Sequence, residues 1–344
     1  MTDNSLYKTI ETQINIGGKL SIKLPWIPEN LQDSGNIPKG DMPGDKIVIG
    51  NNHIQKAQII FPRLLELLIP VLEENSYQRA VVGVCGGSGV GKSEIASLLS
   101  YYLNRINVGS YTLSGDNYPY RIPVYNDAER TRIFRQCGIK GLISGGLYKE
   151  EIRSVLKVLQ GKGDDADAAL AEKYPWLLTY QNAGRSGLKN YLGTSNEIDF
   201  AELNGIISQF KNGGTKVFLK RMGREDTELW YEPVDFTGKN VMVIEWTHGN
   251  NHNLQGVDIP ILLNSTPEET LEHRRARNRD GGTDSPFTAM VLSIEQELLV
   301  SQASKAKLIV SRKGEFLSYN NLLDVMLRKK STTMGRLEGE GFQA

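Results

Sequence analysis

Residues 86–93 read Gly86-Gly87-Ser88-Gly89-Val90-Gly91-Lys92-Ser93, which matches the phosphate-loop pattern G-x-x-x-x-G-K-[ST] at every fixed position. A short apolar, β-branched run at residues 80–85 precedes this loop and predicts a buried strand. After the loop, apolar residues recur at helical spacing, so a helix is expected to begin near Lys92. Strand, glycine loop and helix in this order are the context that a phosphate-binding loop requires.

The composition of this loop explains how it would hold a nucleoside triphosphate. Glycines let consecutive backbone N–H groups turn toward phosphate oxygens, and the helix N-terminus adds partial positive charge. We expect Lys92 to reach the β- and γ-phosphates and the Ser93 hydroxyl to bind Mg²⁺. ATP and Mg²⁺ are therefore the expected cofactors, and the choice between ATP and GTP stays open.

The bulk composition is that of an ordinary globular protein. Of 344 residues, 39% are apolar and 23% are charged. Lys+Arg and Asp+Glu both number 40, and this zero net charge argues against a chain built to hold nucleic acid. No apolar run approaches the roughly 20 residues needed to span a bilayer, and the N-terminus lacks signal-peptide features. We expect a cytoplasmic protein without membrane partners, for which a homo-oligomer is possible.

The sequence predicts a small N-terminal segment followed by one larger domain. Residues 1–53 are rich in Gly, Pro, Asn and Asp, with strand-like runs at residues 20–24 and 46–49, and predict a β-rich segment. In residues 54–330, strand patterns alternate with helical ones, which predicts a parallel sheet with helices on both faces. The later core strands are expected at residues 240–245, 258–263 and 306–310. The predicted fold class is thus α/β, a three-layer P-loop core.

Three further segments stand apart from the strand-and-helix alternation of the core. Residues 137–195 change to helical patterns and glycine-containing turns, which predicts a helical insertion. Residues 266–286 are expected to form a lid over the nucleotide, for the reasons given below. Residues 331–344 show little apolar periodicity and are predicted to be a tail.

Two carboxylates follow predicted core strands at the ligand-binding edge of the sheet. Glu245 ends an apolar strand, where a carboxylate is expected to direct Mg²⁺, with a solvated strand end as the alternative. Asp116 follows a short strand that ends at Ser114 and Gly115. A carboxylate there can accept a proton from an attacking hydroxyl or bind Mg²⁺ through water. The sequence Ser-Gly-Asp-Asn is also typical of an Asx turn, so that structural alternative stays open for Asp116.

An arginine-dense helix follows the strand pattern at residues 258–263. Thr266 and Glu269 have the spacing of a capping box, which predicts that a helix opens there. The predicted helix contains the sequence RRARNRD, which begins at Arg274. Two glycines that could serve as a lid hinge follow it. Planar guanidinium groups match phosphate oxygens. We therefore expect Arg274 at the nucleotide and Arg275 and Arg279 at the transferred phosphoryl group, with a solvated basic face as the alternative.

Aromatic and basic residues cluster in residues 116–121 and 220–231 and predict a pocket for the second substrate. Such side chains stack a sugar or a base and read its hydroxyl groups, although ordinary packing explains each of them equally well when taken singly. A histidine that follows Glu245 closely is a further candidate. The candidates are Tyr118, Tyr120, Arg121, Arg221, Tyr231 and His248.

The order of these motifs resembles the phosphoribulokinase/uridine kinase family of P-loop kinases. The phosphate loop is followed by SGDNYP at residues 114–119, VMVIEW at residues 241–246 and the arginine-dense lid. The resemblance implies that Asp116 is the general base near the metal, that Glu245 is the strand-borne carboxylate and that the lid arginines contact the nucleotide. Three departures concern the acceptor: Trp246 where the family has a glycine after the strand-borne carboxylate, the enlarged gap between Asp116 and Glu245, and about 50 N-terminal residues without a counterpart in a minimal member.

The text of residues 246–288 also resembles the kinase half of bacterial bifunctional α-galactosidase/sucrose kinases. That resemblance favours a carbohydrate hydroxyl as the acceptor. We therefore predict an ATP-dependent kinase that transfers the γ-phosphoryl group to a hydroxyl of a small metabolite. A nucleoside is the alternative acceptor, and a regulatory P-loop NTPase without a small acceptor is the second alternative.

Overall fold

The computed structural model describes residues 12–18, 20–28, 31, 37–45, 47–277 and 285–327. The strands in these ranges are β1 (Thr12–Ile16), β2 (Leu20–Leu24), β3 (Ala80–Gly86), β4 (Ser110–Ser114), β5 (Lys216–Met222), β6 (Leu229–Asp235), β7 (Val241–Glu245), β8 (Ile259–Leu263), β9 (Leu308–Val310) and β10 (Phe316–Leu317). The helices are α1 (Asn51–Glu74), α2 (Lys92–Arg105), α3 (Pro123–Ser144), α4 (Glu150–Lys162), α5 (Leu170–Lys173), α6 (Trp176–Lys189), α7 (Phe200–Lys211), α8 (Leu271–Arg277) and α9 (Pro286–Gln302). Two short 3₁₀ helices span Gly115–Asn117 and Ala303–Lys305.

A six-stranded central sheet organises the molecule. Its spatial order is β10-β9-β8-β3-β7-β4, and all neighbouring pairs are parallel except β10 with β9. Strand β3, which carries the phosphate loop at its end, lies between β7 and β8 and is buried along its whole length. The near-continuous apolar runs of these strands are typical of a sheet covered on both faces. The predicted parallel sheet is confirmed.

Helices cover both faces of the sheet, because successive strand residues point to opposite sides. Val82 and Val84 of β3 pack in one core cluster with α1, α2 and the β1–β2 hairpin. Val81 and Met242 face the other way, into a second cluster formed with α7 and the β5–β6 hairpin. The three-layer α/β class expected from the sequence is confirmed. Helix α1 continues through Pro62 and Pro70 without a break.

The N-terminal segment forms one antiparallel hairpin, β1–β2, which agrees with the strand expected at residues 20–24. The strand expected at residues 46–49 is wrong for its described part, since residues 47–49 belong to no strand. The side chain of Val48 is 75% exposed, and helix α1 begins at Asn51. A β-branched run without a neighbouring strand leaves its backbone hydrogen bonds to solvent, so local propensity does not fix its structure here.

The helices between β4 and α7 pack as a separate layer beside the end of the sheet. Helices α3 and α6 lie against each other, with the rings of Phe134 and Tyr180 in an edge contact at 5.4 Å. Phe287 of α9 contacts Phe134 at 5.6 Å between ring centroids, which joins this layer to the last core helix. The first of these helices begins at Pro123, earlier than the helical patterns indicate. The boundaries of the domain and its insertion remain predictions.

No described helix combines the length and the apolarity that crossing a membrane requires. The predicted tail at residues 331–344 and the part of the predicted lid at residues 278–284 lie outside the described residues.

Candidate active site

The phosphate loop connects β3 directly to α2, in the order that its motif requires. Gly86 has φ of 152° and Gly91 has φ of 93°, a region that favours glycine. A Cβ atom at Gly86 would lie 2.5 Å from the carbonyl oxygen of Leu263, so the loop passes too close to β8 for any side chain there. The Lys92 ammonium donates a hydrogen bond to the Gly87 carbonyl at 3.1 Å, which holds it over the loop.

Glu245 lies beside this loop because β7 pairs with β3 in parallel, which puts their carboxyl ends at one edge of the sheet. The Glu245 carboxylate is buried and accepts hydrogen bonds from Ser93 Oγ at 3.1 Å and Ser114 Oγ at 2.6 Å. Burial raises the pKa of Glu245 to about 8, and the charge of Asp116 adds to this rise, while Lys92 opposes it. A positive partner at this site would therefore stabilise the ionised carboxylate.

The donor atoms at this edge fit Mg²⁺. They are oxygens, which hard divalent cations prefer, and the Ser93 hydroxyl lies next to the Glu245 carboxylate. Asp116 and Asp45 line the same cleft, and their charges both raise the pKa of Glu245. In the described part of the chain, no group of three or more His, Cys, Asp or Glu could hold a metal.

One cleft of about 510 Å³ joins the phosphate loop to the helical layer. Asp116 stands on the short helix Gly115–Asn117, and its exposed side chain lines this cleft opposite the loop. The structure thus brings together residues that lie far apart in the chain. The predicted candidates that line the cleft are Ser88, Gly89, Lys92, Ser93, Asp116, Arg121, Glu245, His248 and Arg274.

Arg274 reaches the loop from the helix that the sequence predicted. The capping box is present, because the backbone N–H of Thr266 donates to Glu269 Oε2 at 2.9 Å and Glu269 N–H donates to Thr266 Oγ1 at 3.3 Å. A hydrogen-bonded turn follows the box, and α8 begins two residues after Glu269. The Arg274 guanidinium donates to Thr270 Oγ1 at 2.7 Å, and its stem packs against Gly89 of the phosphate loop.

Several other predicted candidates are not brought to the cleft. The residues concerned are Tyr118, Tyr120, Arg221, Tyr231 and Arg275. The ring of Tyr118 is buried in the core cluster beneath the cleft, and Tyr120 and Tyr231 are 52% and 51% exposed away from it. The Arg221 guanidinium is engaged by Asp41 and Glu232, and Arg275 is exposed on α8. Arg279 lies outside the described residues.

A buried polar network at the other end of the cleft is not evident from the sequence. Glu197 accepts hydrogen bonds from Arg130 Nε at 2.7 Å, Asn126 Nδ2 at 3.0 Å and the backbone N–H of Gly193 at 2.6 Å. Glu295 of α9 lies 3.9 Å from the same guanidinium. Burial acts to raise the pKa of Glu197, but the Arg130 charge and these hydrogen bonds outweigh it, so the pKa is lowered. We name these residues, with His248, the acceptor end of the cleft.

His248 belongs to this end because the turn after β7 carries it beneath the helical layer. Its ring meets that of Trp246 edge-on, with centroids 5.3 Å apart. Burial lowers the pKa of His248 to about 4, although the charge of Glu197 opposes this. The imidazole is therefore neutral at pH 7 and offers one hydrogen-bond donor and one acceptor. Chemistry of this kind suits a hydroxyl group better than an anion.

The sequence did not reveal Arg130, Glu197 or Glu295 because each comes from a different helix or loop and none belongs to a local motif. Arg130 and Glu295 are charged residues within helices that also carry apolar faces, and Glu197 lies in the turn before α7. Such a residue has no marker that tells whether it faces solvent or a cleft. Only the packing of α3 against α6 and α9 brings them together.

The chain is similar in sequence to a known bifunctional protein. No family model matches the chain. The chain is 37% identical over 252 residues, or 73% of its length, to the bifunctional alpha-galactosidase/sucrose kinase of Mediterraneibacter gnavus, of which it spans 22%.

The solved structures that the chain resembles match it with TM-scores below 0.5. A putative fructose transport system kinase from Silicibacter sp. TM1040 has a TM-score of 0.39 at 13% identity, covering 71% of this chain and 94% of that one. A possible uridine kinase from Bacillus stearothermophilus has 0.39 at 14%, covering 72% and 96%. The D-glycerate 3-kinase from Cryptococcus neoformans var. grubii has 0.44 at 13%, covering 78% and 98%. The 37% identity over 252 residues confirms the predicted resemblance to bacterial bifunctional α-galactosidase/sucrose kinases, and the chain spans about a fifth of the length of the relative it matches.

Proposed function

We propose that this protein is a kinase that transfers the γ-phosphoryl group of Mg·ATP to a hydroxyl of a small carbohydrate. The observation that carries the proposal is the shared cleft: the phosphate loop, the Ser93–Glu245 pair and Asp116 all line it. The name of the relative includes a sucrose kinase, and this favours a sugar acceptor. Two free cysteines, Cys85 and Cys137, fit the proposed cytoplasmic location, where ATP is available.

On the donor side, we assign the phosphates to the loop and to Lys92, with Arg274 beside them. Ser93 and Glu245 would hold Mg²⁺, which supplies charge neutralisation at the β- and γ-phosphoryl oxygens. Lys92 and Arg274 would stabilise the charge that builds up during transfer. Asp116 would orient the acceptor hydroxyl for in-line attack and accept its proton. Its exposed position at the cleft wall leaves room for a substrate between it and the loop.

On the acceptor side, the charges are already paired within the protein. Arg130 lies between Glu197 and Glu295, and His248 is neutral, so this end offers no free positive charge among these groups. A substrate with a carboxylate or phosphate would face two acidic groups whose shared partner, Arg130, is already engaged, and would need Arg121 or Arg224 of the cleft wall instead. A neutral polyhydroxyl compound can instead exchange hydrogen bonds with each of them. This arrangement supports a neutral sugar rather than an acidic metabolite.

The direct test is a screen for ADP release with Mg·ATP over sugars, disaccharides, nucleosides and sugar acids. We expect release that depends on a neutral sugar. Release only with a nucleoside such as uridine would replace the carbohydrate assignment with the nucleoside one. Slow hydrolysis that no acceptor changes would instead favour a regulatory NTPase.

The catalytic role of Asp116 is tested by Asp116→Asn. The amide cannot accept the hydroxyl proton, so turnover should fall roughly 10²–10⁴-fold, while ATP affinity measured by calorimetry stays within about threefold. Asp127→Asn is the matched control, because Asp127 also lines the cleft but is an exposed partner of Arg130 on α3. Full activity of Asp116→Asn would show that another group serves as the base.

A further inference from the structure

Asp41 stands in the N-terminal segment, yet its carboxylate is buried against the active-site edge of the sheet. Only 8% of this side chain is exposed. One oxygen, Oδ1, accepts the backbone N–H of Ser114 at 2.7 Å and the Asn117 amide at 3.2 Å. The other, Oδ2, accepts the Tyr111 hydroxyl at 2.9 Å and the Arg221 guanidinium at 3.0 Å. A single carboxylate thus ties β4, the short helix after it and β5 together.

These bonds surround the proposed base. Asp116 lies between Ser114 and Asn117, and both of these neighbours are held by Oδ1 of Asp41. Ser114 also donates its side-chain hydroxyl to Glu245 at 2.6 Å. The same carboxylate therefore holds the backbone of Ser114 before the base and the side chain of Asn117 after it, and Ser114 in turn contacts the proposed metal ligand.

We name Asp41 with its partners Tyr111, Ser114, Asn117 and Arg221 the clamp. Further hydrogen bonds join members of the clamp to one another and to their neighbours. The Asn117 side-chain oxygen accepts the backbone N–H of Met222, and Arg221 also bonds Tyr111 at 2.9 Å and Glu232 at 2.8 Å. Burial raises the pKa of Asp41 to about 6, and the charge of Arg221 opposes this rise. Apolar packing could secure a chain segment without this desolvation cost, but it would not direct hydrogen bonds at individual atoms.

The segment that carries Asp41 also contributes to the cleft wall. Met42, Pro43, Gly44 and Asp45 line the cleft beside Ser93 and Glu245. The charge of Asp45 acts on the Glu245 carboxylate and helps to raise its pKa. The N-terminal segment is therefore part of the donor end of the site, and Asp41 is its anchor.

We propose that Asp41 is a positioning residue for phosphoryl transfer, which holds Asp116 and Glu245 in their working geometry through Ser114 and Asn117. This inference rests on the proposed function. It assigns a role in turnover to a segment that precedes the P-loop domain.

The test compares Asp41→Asn with Asp258→Asn. Asp258 is the matched control. Its carboxylate also accepts a strand N–H, that of Val81 at 2.8 Å, and pairs with Lys211, but it lies at the amino end of β3, away from the phosphate loop. The side-chain amide of Asn at position 41 would present an N–H donor to the Arg221 guanidinium, which is itself a donor. The hydrogen bonds of the clamp would therefore break. Turnover should fall roughly 10²-fold with the KM for ATP within about threefold. Asp258→Asn should lower the melting temperature and leave turnover unchanged.

A spectroscopic measurement makes the test independent of the acceptor. The Trp246 indole packs against Gly115, where an added Cβ would lie 2.1 Å from the ring, so this ring reports on the turn that carries Asp116. In protein labelled with 5-fluorotryptophan, Asp41→Asn should shift or broaden the ¹⁹F signal of Trp246, assigned with Trp246→Phe. Asp258→Asn should leave that signal in place.

The outcomes separate the two proposals. If the wild type shows no acceptor-dependent ADP release, the proposed function fails, and the ¹⁹F signal still decides whether Asp41 holds the turn. If Asp41→Asn keeps both the turnover and the signal of the wild type, the positioning role is wrong. If Asp41→Asn does not fold, Asn117→Ala removes the Asn117 bonds to Asp41 and to the Met222 N–H and leaves the other bonds of Asp41 in place. It should lower turnover with ATP affinity retained, and unchanged turnover in that variant would also refute the proposal.

Discussion

The two ends of the cleft are built in different ways. The donor end comes from a contiguous loop, residues 86–93, and one carboxylate at the tip of a neighbouring parallel strand. The acceptor end comes from α3, the turn before α7, the turn after β7 and α9, which meet only when the helical layer packs on the core. Backbone geometry shapes the first, and side-chain pairing shapes the second.

The two ends therefore differ in which substitutions they can tolerate. The donor end depends on glycine conformations and on backbone N–H groups, which few substitutions can preserve. The acceptor end depends on one buried guanidinium and its partners, so a different set of side chains on the same helices would recognise a different molecule. On the proposed function, substitutions at the acceptor end would change the acceptor and leave the donor chemistry in place. The predictions below test whether the two ends are separable.

The largest expected effect comes from Glu245→Gln at the donor end. Removing the carboxylate should reduce turnover on the order of 10³-fold and abolish most of the stabilisation that Mg·ATP gives in thermal melts. Without Mg·ATP, the same substitution should instead raise the thermal stability at high pH. Because the folded pKa of Glu245 is about 8, above its ordinary 4.5, the wild type loses stability as pH rises from 4.5 through 8. The variant lacks that loss, so it should melt higher than the wild type at pH 9.

The matched control for Glu245→Gln is Glu66→Gln, which removes an exposed carboxylate paired with Arg63 on α1, where neither residue lines the cleft. Its turnover should stay within about threefold of the wild type. Equal Mg·ATP stabilisation in Glu245→Gln and in the wild type would contradict the metal assignment.

An intermediate effect is expected from Glu197→Gln at the acceptor end. Breaking its buried pair with Arg130 leaves a guanidinium short of a partner and should cost about 3 kcal/mol in urea unfolding. The KM for the acceptor should rise by at least tenfold, while the KM for ATP stays unchanged. Glu129→Gln on α3, the helix of Arg130, is the control, because its bond to Arg132 is a surface pair whose loss should cost about 0.5 kcal/mol. A parallel rise in both KM values would show that the ends are coupled.

The smallest effect concerns pH and His248. Its folded pKa of about 4 lies below the ordinary 6.5, so the unfolded chain binds this proton first as pH falls. Stability from this group is present above pH 6.5 and is lost as pH falls toward 4. Between pH 7 and pH 5, the wild type should lose about 2 kcal/mol more than His248→Asn in urea unfolding. Equal losses in both proteins would mean that His248 is not held neutral.

Much of the donor end could be predicted before any coordinates, because its signals are local. The loop pattern, the apolar strands and the capping box of Thr266 and Glu269 each occupy a short stretch, and the fold confirms the strand, loop and helix order. Local signals failed where the partner decides the outcome. Residues 47–49 have strand propensity but no strand beside them, and Arg221 is aimed at Asp41 rather than at the cleft.

By itself, the sequence determined the α/β class, the phosphate loop and the positions of Asp116 and Glu245 at strand ends. These follow from periodicity and from backbone demands that one residue type meets. Only the tertiary structure decided which charged groups share a cleft. Arg130, Glu197 and Glu295 lie in separate segments, and so does Asp41, whose partners are some 70 to 180 residues away. Contacts over such distances depend on how whole elements pack, and no local pattern records that packing.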